Sequence, residues 1–258
     1  DKFNQKYIPN TNLNFGFNYQ RRPNYSRNIT NLDIGYAWRT SKNVNHILTP
    51  VNINYVNIFP TTEFDSILVN EPNRRLREQY SDHMIVGLKY SFIFNNQNNR
   101  NQRHFNYLRV DLESSGNALY SINEIAGTHK SDSGYYRIFG VRYSQYFRIN
   151  IDFRYYFYFK NKTNSLVWRL LLGAGVPYGN SDELPYEKGF YAGGANDMGG
   201  WIFKSLGPGD YSGNSPYEKI GDIQIEGNLE YRFPIYSFFK GALFTDIGNI
   251  WTYERSTT

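Results

Sequence analysis

Four histidines could carry acid–base or metal chemistry, but their placement argues against both. His46, His83, His104 and His129 stand far apart, and none falls in a metal-ligand spacing. Ser and Asp are scattered along the chain, so no Ser/His/Asp set stands out as a nucleophilic triad. There is no cysteine, which excludes a thiolate nucleophile, a thiolate metal site and a disulfide framework. Asp182, Glu183, Asp197 and Asp210 could collect calcium, yet they lack the alternating ligand spacing of a calcium loop. The stretch "GGANDMGG" could cradle a phosphate, yet it matches no glycine fingerprint and opens no evident helix. The residue types therefore imply no catalytic, metal or cofactor site, and the expectation is a protein that is not an enzyme.

The elements carrying these residues are strands. In "FRINIDFRYYFYFK", positions 147–160, Phe147, Ile149, Ile151, Phe153, Tyr155, Phe157 and Phe159 alternate with Arg148, Asn150, Asp152, Arg154 and other polar or aromatic residues. Similar runs begin near Leu13, Leu32, Val51, Met84, Leu108, Leu166, Ile223 and Leu243, making nine. The face opposite the apolar one carries charge, so it must be wet or ion-paired. Fourteen residues at ~3.3 Å each span roughly 46 Å, which at a tilt of ~45° gives about 33 Å of height. That exceeds the ~25 Å apolar band of an outer-membrane barrel.

Composition agrees with a greasy outer surface. The chain of 258 residues is 18% aromatic, with 24 Tyr and 19 Phe, yet its mean hydropathy is −0.63. No apolar run reaches the ~18 residues of a membrane helix, which leaves strands as the means of crossing. Net charge is +5, but no Lys/Arg block or basic helix points to nucleic acid. The connections alternate between brief polar ones, such as "NNQNNRNQ" and "NKTNS", and long ones at 60–83, 114–142 and 178–220. Short turns on one side and long loops on the other are the outer-membrane pattern. The expected fold is thus all-β: a partial transmembrane antiparallel barrel over 1–258, with a long extracellular loop at 178–220. Nine is odd, and bare edges are intolerable in lipid, so the chain is expected to be incomplete or to hide short strands. Any targeting sequence is expected outside "DKFNQKYIPN". A soluble β-protein with its aromatic faces packed inside is the other fold to weigh.

The long loop mixes Gly with Phe190, Tyr191, Met198, Trp201, Ile202 and Leu206, so it needs a packing partner, and the lumen wall is the one at hand. "LPYEKGFYAGGANDMGGWIFKSLGPGDY" followed by "GDIQIEGNLEYRFPIYSFFKGALFTDIGNIW" resembles the BamA/TamA family of outer-membrane assembly barrels, and most resembles its Bacteroidetes TamL-type lipoprotein branch. "DLESSGNAL" and "RLLLGAGVPYGNSDELPYEK" fit the same resemblance, which covers about 107–251. It implies that the loop joins the eleventh and twelfth strands of a barrel of roughly sixteen. It also implies POTRA domains and terminal barrel strands that this chain lacks. The loop motif falls on Gly193, Gly194, Met198, Gly199, Gly200, Trp201, Gly207, Pro208 and Gly209.

One position departs from the family. Its motif arginine falls at Gly199, while the wall acids it would meet stand at Glu230 and Asp246, both inward by alternation. Two such acids call for a cation, with Lys204 and Arg232 the candidates, or for water in its place. The resemblance implies a bacterial outer-membrane factor that helps insert or export client proteins through a laterally opening barrel. Its partners would be outer-membrane lipid, unfolded β-barrel or surface-protein clients, and periplasmic or outer-membrane accessory subunits. The alternative is a passive channel or secretion pore, with Arg148, Asp152, Arg154 and Arg169 lining the lumen.

Overall fold

The computed structural model describes residues 8–97, 104–159, 163–195, 197–210 and 219–253. Lys160, parts of two short turns, and loop positions 196 and 211–218 lie outside the described residues. In chain order the strands are β1 (Asn10–Arg21), β2 (Tyr25–Ser41), β3 (Val44–Pro60), β4 (His83–Asn95), β5 (His104–Ser115), β6 (Arg137–Ile138), β7 (Val141–Ser144), β8 (Tyr146–Tyr158), β9 (Ser165–Pro177), β10 (Ile223–Tyr236) and β11 (Phe239–Trp251). Nine of them pair antiparallel with their neighbours in the order β1-β2-β3-β4-β5-β8-β9-β10-β11. These are the nine alternating runs. The two extra strands, β6 and β7, form a small hairpin inside the connection read as a plain loop, and β7 runs parallel to the start of β4.

The register fixes the faces. Asn228 and Glu230 of β10 oppose Asp246 and Phe244 of β11, and Arg169 of β9 lies across from Asn228. Even positions of β10 therefore share the inner face with even positions of β11 and odd positions of β9. The outer face carries Trp168, Leu229, Leu243 and Ile247, all exposed. Away from the strand ends, strict alternation breaks within β3. Leu48 opposes Tyr36 but Val51 opposes Ile34, so one extra residue shifts the outward series from even to odd.

Connections at one end are short: Ser41 opposes Val44, and Tyr236 opposes Phe239 across a break in register. At the other end they are elaborate, apart from the short β1–β2 link. Helices α1 (Thr62–Asn70) and α2 (Arg74–Gln79) join β3 to β4, and α3 (Asn117–Ile125) precedes β6. Thr61 and Asn73 cap α1 and α2 by accepting from the amides of Phe64 and Leu76. Buried Phe64 of α1 sets its ring edge-on to Tyr80, 4.9 Å away, which pins the helices over the end of the sheet.

Candidate functional site

The connection between β9 and β10 folds back onto the inner face, and side chains of β10 and β11 bind its backbone. Gln224 Nε2 donates to the Tyr191 carbonyl at 2.7 Å, and Asn228 Nδ2 donates to the Asp197 carbonyl at 2.9 Å. Asn249 Nδ2 donates to the Gly209 carbonyl at 2.7 Å, and the Gly209 amide donates to the Ile250 carbonyl at 2.7 Å. Phe190 and Gly221 exchange backbone hydrogen bonds of 2.9 and 2.8 Å, closing the base of the loop. These backbone groups of the loop are thereby satisfied without regular structure.

Asp246 holds the centre. Its Oδ2 accepts from the Gly199 amide at 2.9 Å, and its Oδ1 accepts from Asn228 Nδ2 at 2.9 Å. Among the described residues no Lys or Arg lies within ion-pairing distance of Asp246. Arg232 pairs with Glu230, through contacts of 2.9 and 2.8 Å. Two residues apart on one strand, they share a face and meet there. Lys204 is seated elsewhere: its Nζ donates to the Tyr186 hydroxyl at 2.6 Å. The Gly199 approach is close. A Cβ there would stand 2.9 Å from the Phe244 ring and 3.1 Å from Asp246 Oδ2. Beside it the fully buried Glu226 sets its carboxyl against that of Asp197 and accepts from Gln224 Nε2 at 2.6 Å.

Apolar packing seats the same loop. Phe190, Ala192, Met198 and Ile250 form a buried cluster with Leu206 at its margin. Phe190 lies on Gly173, where a Cβ would fall 2.3 Å from its ring, and Leu184 covers Gly175 similarly at 2.7 Å. The glycines of "LLLGAGV" thus form a trough in the wall for two loop side chains. The Arg148 guanidinium stacks over the Phe190 ring at 4.1 Å. In the motif, Gly193 and Gly194 take positive φ, and the Gly194 amide donates to the Trp201 carbonyl at 3.0 Å. Trp201 is exposed, Gly200 meets nothing nearby, and Gly207, Pro208 and Gly209 lead the chain along Asn249 and Ile250. Under the loop, Arg109, Asp111, Arg148, Asp152 and Arg169 line a space of about 500 Å³. Arg154 and Arg169 both donate to Asp152 there, at 2.7 to 3.3 Å.

A charged clamp closes the outer end. Arg75 of α2 forks onto Asp222 with contacts of 3.1 and 2.7 Å and also pairs with Glu183. Arg74 and Arg142 pair with Asp182. Two of the acids considered for calcium are thus occupied by guanidinium groups, while Asp197 lies against the wall. The buried Arg27 of β2 reaches Glu187 at 3.2 Å, and His83 Nε2 lies 2.9 Å from the same carboxylate. Burial alone would push Glu187 up, but His83 and Arg27 outweigh it and hold its pKa at about 2. Burial, with Arg27 adding to it, lowers the Lys204 ammonium to about 8. Lys188 pairs with Glu113 at 2.5 Å, and the Tyr146 hydroxyl donates to Glu113 at 2.6 Å.

The whole chain, residues 1–258, matches the Omp85 superfamily domain. The chain belongs to the Omp85 superfamily. Its fold is similar to the crystal structure of BamA from Haemophilus ducreyi lacking POTRA domains 1–3, with a TM-score of 0.60 and 14% sequence identity. That match covers 95% of this chain and 46% of the other, so the chain spans about half the length of that relative. It is a bacterial outer-membrane β-barrel protein, and the open sheet is part of an Omp85 barrel. The outer aromatic face therefore meets lipid, the short turns face the periplasm, and the elaborate end faces outward.

In this Omp85 sheet the structure brings together Gly199, Asp246, Met198 and the Gly207–Gly209 stretch, and it leaves Lys204 and the Glu230–Arg232 pair apart from them. Sequence reasoning missed Gln224, Asn228 and Asn249, whose amides bind loop backbone and carry no charge signature. It also missed Gly173 and Arg75. The "GAG" within a strand was the available signal for a close approach.

Proposed function

We propose that this chain forms the barrel wall and gating loop of an outer-membrane assembly factor of the BamA/TamA type, in its TamL-type branch. It inserts or exports clients and performs no chemistry of its own. The observation that carries this reading is the loop itself, which occupies the inner face on the side chains of Gln224, Asn228 and Asp246, while Asn249 and the Ile250 carbonyl hold it along β11. A loop so held fills the lumen and braces the wall, which suits a barrel whose work is done at its seam. Unfolded β-barrel or surface-protein clients would add strands there by β-augmentation, trading water for main-chain hydrogen bonds at an edge. Outer-membrane lipid and periplasmic or outer-membrane accessory subunits complete the set of partners.

The test is reconstitution of the full-length protein into phospholipid vesicles with an unfolded outer-membrane client. The expected result is faster appearance of the folded, protease-resistant client than in empty vesicles. Planar-bilayer recording decides against the proposal if it shows large, steady, solute-selective openings with no effect on client folding. That outcome would favour a passive channel using the space lined by Arg109, Arg148 and Arg169.

A further inference from the structure

The connections at the short-turn end are polar by sequence in three cases, "SKN" at 41–43, "NNQNNRNQ" at 95–102 and "NKTN" at 161–164. The fourth, between β10 and β11, reads "PIYSFF" at 234–239. Its side chains do not turn inward. Ile235 is 65%, Tyr236 78%, Phe238 78% and Phe239 56% exposed. Two facts place them on the lipid side. Tyr236 opposes Phe239, and Phe239 shares the face of Gly241 and Leu243, which is the outer one. The register break at 234–236 also brings Ile235 alongside Phe233, and both lie over Gly241, with atoms 3.1 and 2.8 Å from where its Cβ would stand.

The turn continues an outward aromatic row. Phe157 meets Phe159 at 5.0 Å between ring centroids, Phe159 meets Tyr231 at 6.2 Å, and Tyr231 meets Phe233 at 5.6 Å. Phe238 in the turn and Phe239 at the start of β11 lie at the same end of the strands, with rings 4.3 Å apart. An aromatic row at this height on an outer-membrane barrel sits at the lipid–water boundary. Apolar groups continuous with that row and exposed at its margin are best matched by the same lipid, not by water.

We propose that the β10–β11 turn is a membrane anchor, inserted into the headgroup and upper acyl region of the inner leaflet, while the β2–β3 turn stands in the periplasm. The occupant is phospholipid. The anchor ties the membrane to the two strands that supply Gln224, Asn228, Asp246 and Asn249 to the loop. It rests on the outer-membrane placement of the chain and is independent of the assembly role.

The sequence contains no cysteine. The full-length protein, with any cysteine elsewhere removed, would carry Ser237→Cys labelled with a polarity-sensitive nitrobenzoxadiazole. Asn43→Cys in the β2–β3 turn provides the reference. Both are reconstituted alone into phosphatidylethanolamine/phosphatidylglycerol vesicles, with and without brominated phospholipid. The expected result is a blue-shifted label at 237 that brominated lipid quenches and aqueous iodide does not, beside an iodide-accessible label at 43. Iodide quenching at 237 equal to that at 43 overturns the proposal, because the turn is then in water. Shielding from iodide without quenching by brominated lipid also overturns it, because protein then covers the turn. Phe238→Cys gives the same reading if Ser237→Cys does not assemble.

Discussion

Asp246→Ala should release the loop from the wall. The carboxylate accepts two hydrogen bonds of 2.9 Å each, from the Gly199 amide and from Asn228. A hydrogen bond to a charged group contributes about 1.5–3 kcal/mol, and an orphaned donor adds cost only where water cannot reach it. Asp246 is half-buried, so the lower part of the range applies to each, and the joint loss is about 3 kcal/mol. At about 1.4 kcal/mol per decade, that shifts the docked-to-released ratio by roughly 100-fold. Hydrogen exchange of the Gly199 and Trp201 amides in the reconstituted protein reads that ratio directly. Asp246→Asn keeps one acceptor and should fall between the two. Glu230→Ala should leave Gly199 exchange unchanged, because Glu230 is joined to Arg232 and not to the loop. Unchanged exchange at Gly199 in Asp246→Ala, with β11 still protected, would refute the assignment of Asp246 as the central contact.

Gly173→Ala drives a methyl into the buried Phe190 ring, a clash at 2.3 Å that costs about 1–3 kcal/mol, so trypsin should cut after Lys188 several-fold faster. Arg75→Ala leaves the buried Asp222 carboxylate without its bidentate partner, and about 3–5 kcal/mol of local stability should vanish from hydrogen exchange around Gly221. The clamp also depends on pH. Glu187 is held at about 2 against an ordinary 4.5, so its contribution is complete above pH 4.5 and lost as pH falls toward 2. Pepsin cleavage near Tyr186 should rise across that window, and Glu187→Gln should flatten the profile. Lys204 acts in the same direction at higher pH, because its burial disfavours the charged form. With its pKa lowered from 10.5 to about 8, the seated loop gains stability as pH rises from 8 toward 10.5, and Lys204→Met should abolish that gain in thermal scans.

The wall was legible because each strand has one wet and one greasy face, and that difference writes a period of two into the sequence. The bulge in β3 was not, since its extra residue near Pro50 leaves two separately regular half-strands, and the pairing with β2 and β4 is what reveals the shift. Alternation reads Glu230 and Asp246 as inward, but an inward direction does not name a partner. Glu230 found its cation two residues away, whereas Asp246 found a backbone amide that any residue type would supply at position 199. The clamp was hidden for a different reason. Arg75 and Asp222 are far apart in sequence, and no local pattern announces a pair assembled by the closure of two loops. Helix α2 was visible in "NRRLREQY", but its use as a strap over the long loop was not.

The loop's anchors alternate between two strands: Gln224 and Asn228 come from one, Asp246 and Asn249 from the next. Asn228 itself bridges the Asp197 carbonyl and Asp246 across the register pair that joins the strands. Sliding β11 by a single residue would turn Asp246 outward and put Thr245 or Ile247 in its place. The loop therefore measures alignment. It can settle only on a hairpin already zipped in its native frame, which makes docking a checkpoint that follows correct pairing of β10 with β11 and rejects slipped forms.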